Sequence, residues 1–198
     1  MKVPNFDPNA PEFNREIVNF EIENEDTFHL KNLYKYIHRW FLDNGYGSID
    51  GNDDKVETLY FQRAVTADRV EHHAWWRLHK VPDKNPYLKY FVKFDFQTLF
   101  MGKTKVPDRG QQVSSNQGDL IIRCSAYLML DYDRKWRDSK YFSIIHRYFI
   151  RKIYKSQIDY YEEKLYTELY ELHSMIKQYL QLKNPHEMPK SFHPDLGL

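Results

Sequence analysis

Two adjacent histidines, His72 and His73, are the first residues whose types suggest chemistry, because histidine is a common metal ligand. They lie in a stretch where apolar and polar residues alternate, a pattern that predicts a β-strand. Neighbouring residues of a regular strand point to opposite faces, so these two cannot bind the same ion. The chain has no His-x-His pair and no His-x-x-x-His pair. The sequence therefore predicts no metal site.

Polar residues on one face of this strand and of the following strands form a candidate acid–base cluster. Its members are Glu71, His73, Arg77, His79, Lys93, Asp95 and Arg123. An ordinary solvated sheet face uses the same residue types, so the cluster alone does not indicate catalysis. The chain has no glycine-rich phosphate loop and no nucleophile elbow, and it contains only seven glycines. We therefore predict a protein that is not an enzyme, with no catalytic residues and no cofactor.

The same predicted face combines aromatic rings with bases, as several RNA-binding sheets do. This candidate interface for RNA or single-stranded nucleic acid consists of Arg69, Trp75, Arg77, Lys89, Phe91, Lys93, Arg123 and Tyr127. The rings could instead lie beneath a helix or a partner subunit. The strand–helix–strand order with which such RNA-binding modules begin is absent. Nucleic-acid binding is therefore an alternative prediction.

Charge is segregated along the C-terminal third of the chain. Residues 134–155 contain eight bases and one acid, whereas residues 157–172 contain five acids and one base. Both halves have helical spacing of apolar residues. A helix dipole favours acids at the N-terminal end and bases at the C-terminal end, and this order is the reverse. The reversal indicates an anionic partner, an antiparallel copy of the same helix, or docking of the chain's own acidic N-terminus.

An antiparallel copy would set the basic half of one helix against the acidic half of the other, and two-fold symmetry would make the contact reciprocal. The predicted interface consists of Arg147, Arg151, Lys155, Ile158, Tyr161, Glu162, Glu163, Leu165 and Glu168. Ile158, Tyr161 and Leu165 would supply the buried apolar surface. The charged members would set the register.

The segment Lys140–Lys155 offers a third possibility, because it combines aromatic and aliphatic residues with five bases. Such a segment can lie on an anionic membrane surface. Its apolar residues surround the predicted helix instead of forming one stripe, which favours burial between two partners. Peripheral membrane association is therefore a further alternative.

The elements that position these residues follow from periodicity and turn signals. We predict an acidic arm at 1–26 that can include a short strand at Ile17–Ile22, and a helix beginning at Asp26 or Thr27 and closed by Gly45 and Gly47. Four further strands are expected near 59–65, 69–79, 88–100 and 120–130. Residues 102–118 form a loop or a protruding hairpin. A long helix at about 139–183 is expected to kink or change partner near residue 156. A proline-containing tail occupies 184–198.

These elements predict an α+β fold, in which an antiparallel sheet of about four strands is flanked by an N-terminal helix and a long C-terminal helix. With 198 residues, the chain suits a single domain at 27–183 between its tails. A single cysteine, Cys124, indicates a reducing, cytoplasmic compartment. The net charge of +1 argues against general electrostatic binding of nucleic acid.

From the sequence we predict a self-associating structural or adaptor protein. Its partner is another copy of the chain or a different protein. The two alternatives are the nucleic-acid-binding protein and the membrane-associated protein described above.

Overall fold

The computed structural model describes residues 6, 10, 12–48, 56–108 and 111–182, and it shows an α+β fold with an antiparallel sheet. The strands are β1 (Asn14–Asn24), β2 (Gly47–Ser48), β3 (Glu57–Thr66), β4 (Arg69–Lys80), β5 (Leu88–Asp108) and β6 (Gln111–Leu130). The helices are α1 (Leu30–Asp43), α2 (Phe142–Tyr148) and α3 (Lys155–Leu182). A π-helical turn, Phe149–Ile153, joins α2 to α3, and a 3₁₀ turn, Pro82–Lys84, follows β4.

The sheet has the order β1-β6-β5-β4-β2, and β3 pairs with the same edge of β4 as β2 does. The four predicted strands are confirmed as β3 to β6. The short link through Ala67 and Asp68 joins β3 to β4, as the sequence predicts. Two further strands, β1 and β2, complete the sheet.

One face of the sheet carries the hydrophobic core. The strands contribute Val18, Phe20, Ile22, Ala74, Trp76, Leu78, Leu88, Tyr90, Val92, Phe94, Phe96, Leu120, Ile122, Cys124, Ala126, Leu128 and Leu130. Helix α1 covers this face with Leu33, Ile37 and Phe41, which recur at intervals of four residues and so share one side of the helix. Helix α3 covers the rest of it with Ile158, Tyr161, Leu165, Leu169, Leu172, Ile176 and Leu180. The flanking helices are therefore confirmed.

Strand β1 changes the interpretation of the predicted acidic arm. Residues 14–24 pair with β6 along their whole length, so this part of 1–26 is the edge strand of the sheet. Val18, Phe20 and Ile22 alternate with polar residues and are buried. Their period of two is the signal for a half-buried strand, and it outweighs the acidic composition of the segment.

Residues 102–108 of β5 pair with residues 111–117 of β6 and form a protruding hairpin, one of the two predicted arrangements. A bulge shifts the register between Leu99 and Gly102. Gly118 lies opposite, with φ of +153°, and a Cβ atom there would approach the carbonyl oxygen of Leu99 to 2.8 Å. Only glycine fits this position without backbone movement.

The predicted single helix at about 139–183 is divided. The backbone N–H of Tyr154 donates to the carbonyl of Phe149 at 2.8 Å, five residues back, which widens one turn between α2 and α3. Single π turns of this kind interrupt α-helices locally. The interruption of the helix predicted near residue 156 is confirmed, and it lies about two residues earlier, at Tyr154. We call the unit from α2 to α3 the rod. The predicted tail at 184–198 lies outside the described residues.

Candidate functional site

The acid–base cluster predicted on the open face of the sheet is divided into separate ion pairs. Glu71 accepts a hydrogen bond from Arg63 at 2.7 Å, and Asp95 accepts one from Arg77 at 2.5 Å. Arg123 pairs with Glu21 of β1 at 2.8 Å. Each acid thus faces its own base, so none of these pairs presents an acid free to act on a ligand.

The histidines of this face do not join those pairs into a metal site. The ring of His73 lies 6.1 Å from the ring of Phe61, centroid to centroid. Within the described ranges, no group of three His, Cys, Asp or Glu side chains lies close enough to hold a metal ion.

The residues of the predicted nucleic-acid interface are largely engaged within the chain. Phe91 is buried because Phe6 packs on it, with ring centroids 4.9 Å apart. Phe6 also contacts the ring of Tyr127, while Lys93 lies over both rings. Nucleic-acid binding stays a prediction, but Phe6 covers two of its three rings.

Besides Arg77 and Arg123, whose ion pairs are described above, two more bases of this face have contacts within the chain. Arg69 donates to the carbonyls of Phe100 and Gln117, and Lys89 lies over the ring of Tyr132. Trp75 is the remaining exposed ring of the predicted set, at 47%. A stacking surface built from three rings and free bases is therefore not what this face presents.

The largest group of exposed apolar side chains lies on and beside α2. Tyr141, Phe142, Ile144, Ile145, Tyr148 and Ile153 are all at least half exposed. Four of these, at 141, 144, 145 and 148, have the spacing of one helix face. Soluble monomers seldom expose a contiguous group of this kind without a function.

The opposite side of α2 is fixed to the body of the protein by an aromatic cluster. His146 is 1% exposed, and its ring stacks on Phe13 and Trp136. Tyr87 lies with its hydroxyl oxygen 2.6 Å from Nε2 of His146. Burial lowers the pKa of His146 and raises the pKa of Tyr87. We therefore assign a neutral imidazole that accepts the hydroxyl proton of Tyr87.

This buried histidine predicts that acid weakens the attachment of α2. The pKa of His146 lies below the usual value of about 6.5, mainly because burial disfavours the charged ring. At pH values between the pKa of His146 in the folded protein and its higher pKa in the unfolded chain, the unfolded chain binds more protons than the folded protein does. The free energy of unfolding therefore falls as the pH is lowered through this range. Urea unfolding at about pH 7.5 and about pH 5.5 should show this loss.

The variant His146→Phe keeps a ring in the cluster and removes the titration. We expect a smaller pH dependence in this variant. Burial also lowers the pKa of His72 and of His173, so some dependence should persist. An unchanged pH dependence in His146→Phe would show that His146 does not titrate in this way.

Exposed side chains occur at equal sequence distances on either side of Lys155. We call this set the ridge, and it comprises Ile144, Arg147, Arg151, Lys155, Asp159, Glu163 and Tyr166. Measured from Lys155, its members lie four, eight and eleven residues away in each direction, and the π-helical turn Phe149–Ile153 interrupts the α-helix within the N-terminal half of the set. Bases occupy the N-terminal half of the ridge, and acids occupy the C-terminal half.

The ridge charges have few partners within the chain. Arg147 lies 3.6 Å from Glu12 in an exposed ion pair. Arg151, Lys155, Asp159 and Glu163 form no ion pair with any residue that the structure describes. The ridge is therefore an exposed surface with opposite charges at its two ends.

The structure separates the predicted interface residues into two groups. Ile158, Tyr161 and Leu165 are buried against the chain's own sheet, so they cannot supply apolar surface to a partner. Glu162 pairs with Arg15 at 2.7 Å, and Glu168 pairs with Lys80 at 2.8 Å.

The remaining predicted residues, Arg147, Arg151, Lys155 and Glu163, are exposed on the ridge. Sequence reasoning missed Asp159, Ile144 and Tyr166. Equal sequence distances from Lys155 are the signal that relates them to the predicted residues.

Comparison with known proteins identifies no relative of this chain. No protein-family model, no curated protein and no solved structure matches it. The geometry of the ridge and of α2 is therefore the basis for a functional proposal. None of the described helices has both the length and the apolar content needed to cross a membrane.

Proposed function

We propose that the protein is a non-catalytic structural or adaptor protein that self-associates through the ridge. In this arrangement two rods pack antiparallel, with a two-fold axis passing near Lys155. An isologous contact of this kind uses the same surface on both copies. The antiparallel helix pair is the one predicted from the sequence. Asp159, Ile144 and Tyr166 take the place of the predicted interface residues that are buried or paired within the chain.

The observation that supports this proposal is the mirror-image spacing of the ridge charges. Arg147 precedes Lys155 by eight residues, and Glu163 follows it by eight. Arg151 and Asp159 have the same relation at four residues. An antiparallel pair would therefore set Arg147 and Arg151 at about the same height along the axis as Glu163 and Asp159 of the other copy, and symmetry would repeat both pairs. Lys155 would lie near its own copy at the two-fold axis.

The same register also brings apolar side chains together. Ile144 and Tyr166 each lie eleven residues from Lys155, so they would meet across the axis. Ile144 is 81% exposed and Tyr166 is 48% exposed in the single chain. Burial of such side chains stabilises an interface at about 25 cal/mol per Å². The charges would set the register, and the apolar contacts would contribute to the affinity.

A pairing of α2 with its own copy over the four-residue apolar stripe is disfavoured. In an antiparallel pair related by a two-fold axis, the same side of α2 from each copy lies along the same edge of the interface. Arg147 and Arg151 of one copy would therefore approach Arg147 and Arg151 of the other. The segment contains no acid to separate them. The contact between unlike ends of the ridge avoids this repulsion.

Peripheral membrane association is a second candidate, favoured by one specific observation. Tyr141, Ile144, Ile145 and Tyr148 form an exposed apolar face, and Arg147 and Arg151 lie beside it. Rings and aliphatic side chains can enter the interfacial region of a bilayer while bases contact anionic headgroups. This candidate needs only the α2 end of the rod, whereas self-association also needs the acids of α3.

The first experiment measures mass by sedimentation equilibrium at low salt and at about 1 M NaCl, a concentration that screens exposed charges strongly. We expect a particle of twice the chain mass of 24.2 kDa at low salt, with weaker association at high salt. The absorbance ratio at 260 and 280 nm tests for bound nucleic acid in the same sample. A protein that stays monomeric and cosediments with vesicles containing phosphatidylserine would contradict self-association and favour the second candidate.

A further inference from the structure

A cavity of about 360 Å³ lies between α1 and the helix-covered face of the sheet. It is lined by Leu30, Lys31, Tyr34, Lys35, Tyr60, His72, Ala74, Phe96 and Asn116. Ligand sites in proteins begin at about 300 Å³, so this space suits a small molecule rather than a long lipid chain. It lies on α1 and the strands, apart from the ridge.

The cavity exists because a small residue lies between two large ones. Ala74 of β4 pairs with Tyr60 of β3 on one side and with Phe96 of β5 on the other. Ala74 and Phe96 are 0% and 1% exposed, so they form the closed floor beneath the gap, and Leu30 and Tyr34 of α1 bound it on one side. The floor and walls are therefore mostly apolar and aromatic, and the register of three strands fixes them.

His72 lines this space, and its hydrogen bonds indicate which ring nitrogen carries the proton. The backbone N–H of His72 donates to Oγ1 of Thr98 at 3.1 Å, and Nδ1 of His72 lies 2.9 Å from the same oxygen. Thr98 is fully buried, and among the described residues Nδ1 is the acceptor within reach of its hydroxyl. We therefore assign the Thr98 proton to this bond, which leaves the ring proton on Nε2.

The remaining polar groups at the cavity also favour an anion. Lys31 and Lys35 are exposed and lie one turn apart on α1, beside the opening. Neither forms an ion pair with the residues that the structure describes. Asn116 accepts the backbone N–H of Leu30 through Oδ1, so its amide N–H groups remain as donors. Among the described residues that line the cavity none is a carboxylate, and the carboxylate of Glu57 accepts the hydroxyl proton of Tyr34.

We propose that this cavity binds a small amphipathic carboxylate, with its apolar body against Tyr34 and Tyr60 above the floor formed by Ala74 and Phe96, and its anionic group near Lys31, Lys35 and the ring N–H of His72. The aromatic walls suit a compact ring system, and the donors suit a carboxylate. The site does not depend on the proposed self-association.

The test uses the full chain and two probes of the same shape, naphthalene-2-carboxylate and the neutral naphthalene-2-carboxamide. Isothermal titration should show the carboxylate binding at least about 10-fold more tightly than the amide, because charge-assisted contacts exceed neutral ones. The double variant Lys31→Gln with Lys35→Gln should remove most of that difference and leave the amide affinity unchanged. Ala74→Leu should prevent binding of both probes by filling the gap.

The matched control is Lys177→Gln, which removes an exposed base from α3, outside the cavity. Its affinity for both probes should equal that of the unmodified protein. Thermal unfolding of each variant establishes that it is folded before titration. Equal affinity for the two probes, no binding at about 1 mM, or a double lysine variant that binds the carboxylate normally would each overturn the proposal.

Discussion

The double variant Arg147→Glu with Arg151→Glu should convert the self-associated protein into a monomer. In the antiparallel register these two bases face Glu163 and Asp159 of the other copy, and symmetry doubles each contact. An exposed ion pair contributes about 0.2–1 kcal/mol. Replacing four attractive pairs by repulsive ones should cost about 3 kcal/mol, which raises the Kd roughly 100-fold. Sedimentation equilibrium over a range of concentrations measures this change.

A control with the same change in net charge is available on the hairpin between β5 and β6. Lys103 and Lys105 are exposed there, and neither belongs to the rod. The variant Lys103→Glu with Lys105→Glu should therefore associate as the unmodified chain does. If both double variants weaken association equally, the effect comes from net charge and the ridge is not the interface.

The substitution Trp76→Ala should cause a large loss of stability. Trp76 is 0% exposed and stacks on Phe94 with ring centroids 5.3 Å apart. Its ring also contacts Phe41 of α1, and its indole N–H donates to the hydroxyl of Tyr34 at 3.2 Å. Removing a buried ring of this size costs about 3–5 kcal/mol, because both the transfer free energy and the contacts around the new cavity are lost.

The adjacent residue provides a matched control for this prediction. Trp75 lies on the opposite face of the same strand and is 47% exposed. Trp75→Ala should change the free energy of unfolding by no more than about 1 kcal/mol. Guanidinium unfolding of the two variants gives the comparison. Similar losses in both would mean that the two faces of the sheet are not buried as the structure shows.

Much of this fold could be predicted from periodicity, and the tryptophan pair shows why. Apolar residues alternate along β4, β5 and β6, and each alternating set belongs to one face of the sheet. The core side of each strand follows directly from that pattern. Leu33, Ile37 and Phe41 lie on one side of α1 for a similar reason, because their spacing is helical.

The beginning of α1 was harder to predict from local residues. Asp26 and Thr27 are common helix caps, yet the helix begins at Leu30 with His29 as its N-cap residue. Phe28 forms an isolated β-bridge with Asn116 of the hairpin, which holds the preceding segment extended. That contact joins residues far apart in sequence, so no local signal shows it.

The candidate interface was predicted only in part for a similar reason. Charge segregation identified the stretch of chain that carries the ridge, and it includes Arg147, Arg151 and Glu163. The sequence does not show which side of α3 faces the sheet. Glu162 and Glu168 look like their neighbours in composition, but Arg15 and Lys80 pair with them inside the molecule. The exposed acids become distinct only when those long-range contacts are known.

Mixing two complementary charge-reversed chains tests the proposed interface most directly. One chain carries Arg147→Glu with Arg151→Glu, and the other carries Asp159→Lys with Glu163→Lys. Each chain alone should be monomeric, since like charges would meet across the axis. The mixture should form a heterodimer by sedimentation velocity, because residues 147 and 151 of each chain then face residues 163 and 159 of opposite charge. If the unmodified protein associates while the mixture remains monomeric, the antiparallel ridge contact is wrong.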